Sequence, residues 1–147
     1  SLGAHFAIET GPEPAKVLKG FLDGLHSRGV AVNLDPANLV MVSGDNPVEA
    51  AHTLKDYIVH THAKDGRMLY ELDPEIVYGV RPKSPELVES PSFIELPLGE
   101  GNVPFKEYLA ALEEVGYRGF LTIEREVGEN PGRGIAAAVD FLKNIIG

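Results

Sequence analysis

Four short apolar runs in this chain each end on an acidic or imidazole side chain, and each is followed by a loop bearing Pro or Gly and then an amphipathic stretch. Glu9 closes AHFAIE, Asp35 closes VAVNLD, His62 closes IVHTH and Glu124 closes GFLTIE. The apolar runs at 4–8, 30–34, 57–62 and 119–123 lack hairpin dipeptides between them and alternate with helical patterns. That order predicts βαβαβαβα, a parallel sheet with right-handed crossovers rather than a meander. Folds of this kind collect polar side chains at the carboxyl edge of the sheet, where their active sites lie. The four terminal residues therefore read as the ligands of one metal site.

The helices are marked by Pro at their starts and by apolar residues at a 3.6-residue period. Pro14 opens a stretch in which Val17, Leu18, Phe21, Leu22 and Leu25 share a face before Gly29. Pro47, with Asn46 as its cap, begins a second stretch through Val48, Ala51 and Leu54. A third runs from Pro104 through Phe105, Tyr108, Leu109, Leu112 and Val115 to Gly116, and a fourth follows Pro131 with Ile135, Val139, Leu142 and Ile146. Pro at the first helical position and Gly just past the last are the expected punctuation. Each apolar stripe needs a sheet face to cover it.

One segment breaks the rhythm. Residues 66–101 carry Pro74, Pro82, Pro85, Pro91 and Pro97 among charged residues, directly after the His62 run. A connection that long in a compact chain is usually either functional or disordered, and its position predicts a partly ordered lid over the site. The 147 residues, 44% of them apolar, suffice for one core of ordinary size, so 1–147 is expected to be a single domain with 66–101 as its insertion.

Charge and composition narrow the partners. With 13 Lys and Arg against 22 Asp and Glu, the net charge of -9 offers no general footprint for nucleic acid or an anionic membrane. The absence of Cys excludes disulfides and thiolate metal sites. No apolar run approaches the length of a membrane span, and no basic-then-apolar leader opens the sequence, which makes a cytoplasmic location the expectation.

Strand parity sharpens the site. His60 and His62 share a face, His62 nearer the carboxyl rim and His60 one layer beneath, so His62 is the better ligand and His60 reads as a hydrogen-bonded interior histidine. Thr122, Glu124 and Glu126 share a side in the same way; Glu126 and Arg125 read as rim charges, with Arg125 also able to hold a ligand carboxylate. Three carboxylates and one imidazole make a hard, oxygen-rich set suited to one Mn²⁺ or Mg²⁺, with Co²⁺ or Zn²⁺ as alternatives. Blander readings exist for single residues. Asp35 before Pro36 suits a turn, and Glu9 before Thr10 and Gly11 suits a helix start. The coincidence of four such residues at equivalent positions favours the metal.

The stretches AIETGPEPA, VNLDPANL, VHTHAKD, PLGEG and GFLTIERE together resemble the second half of a sugar isomerase or epimerase of the xylose isomerase-like barrel superfamily, over nearly the whole chain. The resemblance implies four βα units, the second half of a (β/α)8 TIM barrel, with a divalent metal held by Glu9, Asp35, His62 and Glu124. It also implies a sugar or sugar phosphate as substrate and an enediolate intermediate, with Glu9 and Glu124 moving a proton on opposite faces of one carbon. A hydride shift is the related alternative. Asn38 stands where such epimerases often carry a substrate-contacting His, and it can hydrogen-bond but not shuttle protons. Lys64 and Arg67 are candidate binders of substrate hydroxyl or phosphate, with exposed solvated bases as the plainer reading of both. Endonuclease IV shares the barrel, but it would need extra His ligands and a basic surface. Only the last four units are present, so the expected alternatives are an inactive half-barrel fragment, a binding or assembly module, self-association as a homodimer, or a longer native chain whose first half is missing here.

Overall fold

A computed structural model describes residues 3–84, 90–125 and 130–147. The first strand, β1 (Phe6–Glu9), leads to helix α1 (Ala15–Leu25), then to β2 (Val30–Leu34) and the short α2 (Pro36–Asn38). A π-helical turn, Leu39–Ser43, continues α2 and precedes α3 (Pro47–Thr53). Strand β3 (Ile58–Ala63) is followed by β4 (Asp65–Met68), α4 (Pro74–Val77) and β5 (Phe93–Leu96). Helix α5 (Phe105–Glu114), strand β6 (Leu121–Ile123) and helix α6 (Pro131–Ile146) complete the chain. All four expected βα units are present. Observed strand boundaries differ from the apolar runs by one or two residues, and β1 extends to include Glu9.

Strands β1, β2, β3 and β6 form one parallel sheet in that order, each strand paired with its predecessor. Four parallel strands in sequential order are half of an eight-stranded barrel. Two side-chain layers follow from strand alternation. Val32 and Leu34 point to the helices and join Leu18, Leu22, Leu54 and Leu112 in one core, with Tyr108 fully buried among them. The Tyr108 hydroxyl meets Thr61 Oγ1 at 2.6 Å, and Thr61 Oγ1 donates to the Leu34 carbonyl at 2.7 Å, so the polar tips inside that layer are satisfied. Asn33, His60 and His62 occupy the opposite, inward face.

Helix starts follow the side chains expected of them. Asn46 Oδ1 accepts the backbone N–H of Val48 at 2.9 Å, and Asn130 Oδ1 accepts that of Arg133 at 3.0 Å, each ahead of a Pro at the first helical position. Among the described residues no helix is long and apolar enough to cross a membrane.

The segment expected as a lid holds more regular structure than its Pro content suggests. β4 and β5 pair antiparallel, Gly66 opposite Glu95 and Arg67 opposite Ile94, and α4 lies between them in sequence. Pro85 and its neighbours 86–89 lie outside the described residues, as does Glu126. Among the described residues, β1 and β6 are the outer strands of the parallel sheet. Phe6 on β1 is 73% exposed and Phe120, just before β6, is 84% exposed.

Candidate metal centre

Four strand ends converge. One ligand atom from each of Glu9, Asp35, His62 and Glu124 falls in a group whose members all lie within 4.8 Å of one another. His62 is the hub: its Nδ1 is 3.0 Å from Glu124 Oε2, 3.1 Å from Asp35 Oδ2 and 3.9 Å from Glu9 Oε1. Three carboxylates around one imidazole carry more negative charge than the ring can neutralise even when protonated. Hard oxygen donors with one nitrogen, gathered at that density, fit a divalent cation.

Each ligand is held from behind. Asp35 is fully buried, and its Oδ1 accepts the Asn38 backbone N–H at 2.9 Å, which caps α2 and leaves Oδ2 for His62. One Asp35 oxygen thus forms the turn expected before Pro36, and the other faces His62 within the cluster. Its backbone is locked to Thr10: Thr10 Oγ1 accepts the Asp35 N–H at 2.8 Å and donates to the Asp35 carbonyl at 2.9 Å. Asn38 Nδ2 donates to Glu9 Oε1 at 2.9 Å and to the Thr10 carbonyl at 3.1 Å, so Glu9 is aimed by Asn38 and not by a helix start. Helix α1 has no acidic residue in its first turn.

The electrostatics follow from crowding. Desolvation, then the Asp35 charge, push the Glu9 carboxyl above its ordinary range. The hydrogen bond to Asp35 raises the His62 imidazole, with the remaining carboxylates adding to it. A cation bound there would compete with protons at both groups.

Lys64 is not the solvated base its charge suggests. It is buried, and its Nζ donates to Glu124 Oε2 at 3.1 Å and lies 3.9 Å from Glu95 Oε2. Glu95 in turn faces Arg125, whose Nη1 is 3.7 Å from Glu95 Oε1. Arg125 thus reaches the carboxylate behind Lys64 and not a ligand carboxylate. Arg67 is exposed on β4 opposite Ile94, which is exposed too, so both lie on the outward face of the small sheet. Gly66 and Glu95 form its inward face. His60 is half-buried and stands edge-on to His62, ring centroids 5.8 Å apart, outside the ligand group.

A cavity of about 310 Å³ opens on the cluster. Glu9, Asn38, Lys64, Glu95 and Glu124 supply its polar wall, and Met41, Val42, Val77, Tyr78 and Phe93 its apolar one. Val77, Tyr78, Phe93 and Glu95 come from the 66–101 segment, so that segment walls the site. Tyr78 packs its hydroxyl against Gly11, where any Cβ would collide with it.

Sequence reasoning missed Asn33, Thr10 and Glu95. Asn33 Nδ2 is 3.1 Å from His62 Nε2. The available signal was parity: Asn33 lies two before Asp35 and points the same way.

Comparison with known proteins agrees with the geometry. Residues 4–145 match the family model described as xylose isomerase-like TIM barrel. The chain belongs to that family. Among solved structures it is similar to a xylose isomerase domain protein from Planctomyces limnophilus, at 32% identity and TM-score 0.74 over 97% of this chain and 45% of that one. It is also similar to a D-tagatose 3-epimerase-like protein, at 23% identity and TM-score 0.67 over 98% of this chain and 47% of that one. A third is a xylose isomerase-like TIM barrel protein from Mycobacterium smegmatis in complex with magnesium, at 20% identity and TM-score 0.68 over 97% and 44% of the two chains. The last two likenesses establish fold alone. No curated protein matches the chain. It spans less than half the length of each of these three structures, as a half barrel does.

Proposed function

We propose that this chain carries the metal-binding half of a divalent-metal-dependent sugar isomerase or epimerase, acting through an enediolate. The observation that carries the reading is the convergence of Glu9, Asp35, His62 and Glu124 at the carboxyl ends of adjacent strands of one parallel sheet, with an accessible cavity beside them. Those four residues would hold one Mg²⁺ or Mn²⁺, Co²⁺ and Zn²⁺ being compatible with the same donors. The cation would polarise a carbonyl and an adjacent hydroxyl, making the proton on the neighbouring carbon removable.

The proton work falls to the two edge glutamates. Glu9 belongs to β1 and Glu124 follows β6, the two outer strands of the sheet, so they approach the site from opposite ends. That placement suits removal of a proton from one face of a carbon and its return on the other. Asn38 aims Glu9, and Lys64 aims Glu124 while presenting an ammonium to a substrate oxygen. We assign Asn38 and Lys64 to substrate binding and give Arg67 no part in it. The 66–101 segment serves as the lid. With the cation bound, Lys64 and Arg125 complete the neutralisation of Glu9, Asp35, Glu124 and Glu95, which leaves no surplus positive charge for a phosphate and favours a neutral sugar over a sugar phosphate.

One observation favours a second reading of the isolated chain. The exposed Phe6 and Phe120 lie at strand edges that are unpaired among the described residues, and such edges invite partners. We propose that four further βα units complete the barrel, from the same polypeptide or from a second copy in a homodimer, and that turnover needs them. Until then the half barrel is a metal-binding assembly module.

The test is a panel of ketoses with Mn²⁺, in D₂O, using the chain with its completing half. The reading expects solvent deuterium at the carbon beside the carbonyl, and a loss of about 10²–10⁴ in rate for Glu9→Gln or Glu124→Gln. Product formed without deuterium uptake would replace proton transfer by a hydride shift. No turnover of any ketose by the completed assembly would remove the isomerase reading.

A further inference from the structure

Asn33 stands one step behind the ligands, and its amide is only half used. We propose that Asn33 sets the tautomer of His62 for cation binding, by turning its amide so that Oδ1 accepts the proton on Nε2. The inference rests on the reading of the four strand-end residues as a cation site and adds a positioning residue to it.

The argument begins with which nitrogen is the ligand. His62 Nδ1 faces all three carboxylates, at 3.0, 3.1 and 3.9 Å, so the cation's place is on the Nδ1 side. A neutral imidazole has one protonated nitrogen and one lone pair. A lone pair on Nδ1 puts the proton on Nε2, and that proton needs an acceptor to hold it there. Outer acceptors of this kind orient metal-bound histidines and fix their tautomer.

Asn33 is the side chain at Nε2, 3.1 Å away, and it presents Nδ2. In that orientation the amide donates to Nε2, and Nδ1 carries the proton toward Asp35 Oδ2. This is the tautomer that excludes a cation from Nδ1. Meanwhile Asn33 Oδ1 is buried and has no hydrogen-bond partner among the described residues. Turning the amide by 180° exchanges the two atoms at nearly the same shape and puts an acceptor at Nε2. One amide atom lacks a partner in either orientation, so the occupant of Nδ1 selects between them. The backbone cannot carry the side chain away, because β2 is paired on both sides: Asn33 lies opposite Glu9 on β1 and His60 on β3.

The experiment uses ¹⁵N-histidine-labelled protein and Mg²⁺, a diamagnetic probe. Two-bond ¹H–¹⁵N spectra of His62 should show a proton on Nε2 and none on Nδ1 in the Mg²⁺-loaded protein. Calorimetry should give a roughly 10–100-fold weaker Mg²⁺ affinity for Asn33→Leu, the usual cost of losing such a partner. Asn33→Asp, which can only accept, should bind at least as tightly as the parent. A structural role for the amide donor would instead weaken both variants alike, and that result overturns the proposal. So does Asn33→Leu binding as the parent does, or a loaded ring with its proton on Nδ1; in these cases the cation site itself stands. Absence of Mg²⁺ binding by the parent removes the site and this inference together. Should Asn33→Leu fail to fold, the Asn33→Asp affinity and the parent's ring spectrum still decide.

Discussion

Two buried carboxylates a few residues from His62 in the fold, Asp35 and Asp65, have opposite surroundings. Asp65 sits alone in a nest of backbone donors: Oδ1 accepts the N–H groups of Gly66 and Val103 at 2.8 and 3.1 Å, and Oδ2 those of Gly99 and Gly101 at 2.9 and 3.0 Å. Asp35 shares its place with Glu9, Glu124 and an imidazole, and its outward oxygen has only His62. Four N–H dipoles make Asp65 complete without any ion, a structural bolt for the 99–103 loop. Asp35 belongs to a like-charged cluster that the protein's own groups leave short of positive charge. Buried charge that the backbone satisfies is architecture; buried charge left in surplus is what the proposed cation would neutralise.

The contrast is broken most forcefully at Asp65. Asp65→Ala leaves four N–H groups without their acceptor, those of Gly66 and Val103 buried, and should cost about 3 kcal/mol or more in chemical denaturation. Asp35→Asn keeps the cap on Asn38 and should cost no more than about 1 kcal/mol, yet remove cation binding. Equal destabilisation by the two substitutions would erase the distinction.

A smaller effect is expected at Gly101, where a Cβ would fall on the Asp65 carboxylate and the Gly66 backbone. Gly101→Ala should lose about 1–3 kcal/mol with unchanged cation affinity. Denaturation and calorimetry on the same sample check both halves of that statement.

The smallest effects concern protons in the cluster. His62 and Glu9 both have raised proton affinity in the folded chain, against ordinary values of 6.5 and 4.5. Their stabilisation is full below those values and is lost as pH rises through the folded ones, so in chelator the thermal midpoint should fall as pH rises above those ordinary values. Saturating Mn²⁺ should reverse the slope, because the cation needs the deprotonated ligands. Glu9→Gln, which keeps the Asn38 contact and removes a repelling charge, should stabilise the chain in chelator by about 0.5 kcal/mol or less at this exposed position and so raise the midpoint slightly. A lower midpoint for that variant would mean the carboxylates do not repel.

Much of this was legible in the sequence because it is local. The four strand ends, the Asn46 cap ahead of Pro47 and the parallel order follow from period and punctuation within a dozen residues. What escaped depends on distant partners. Asp65 precedes Gly66 and reads as a turn, while its acceptor role is fixed by N–H groups 34–38 residues away. Lys64 looked like a surface base until Glu124, 60 residues on, closed over it. Arg67, in the same stretch, turns outward because the β4–β5 pairing sets a face that the Pro-rich segment hides from pattern reading. Glu126, assigned to the rim by parity, lies outside the described residues.

The central claim is that Glu9, Asp35, His62 and Glu124 bind one divalent cation. Titration of Mn²⁺ into chelator-treated protein, followed by calorimetry, tests it directly. One site per chain is expected, lost in His62→Ala and Asp35→Asn and retained in Arg67→Ala. Equal binding by the parent and His62→Ala, or no binding by the folded parent, would contradict it.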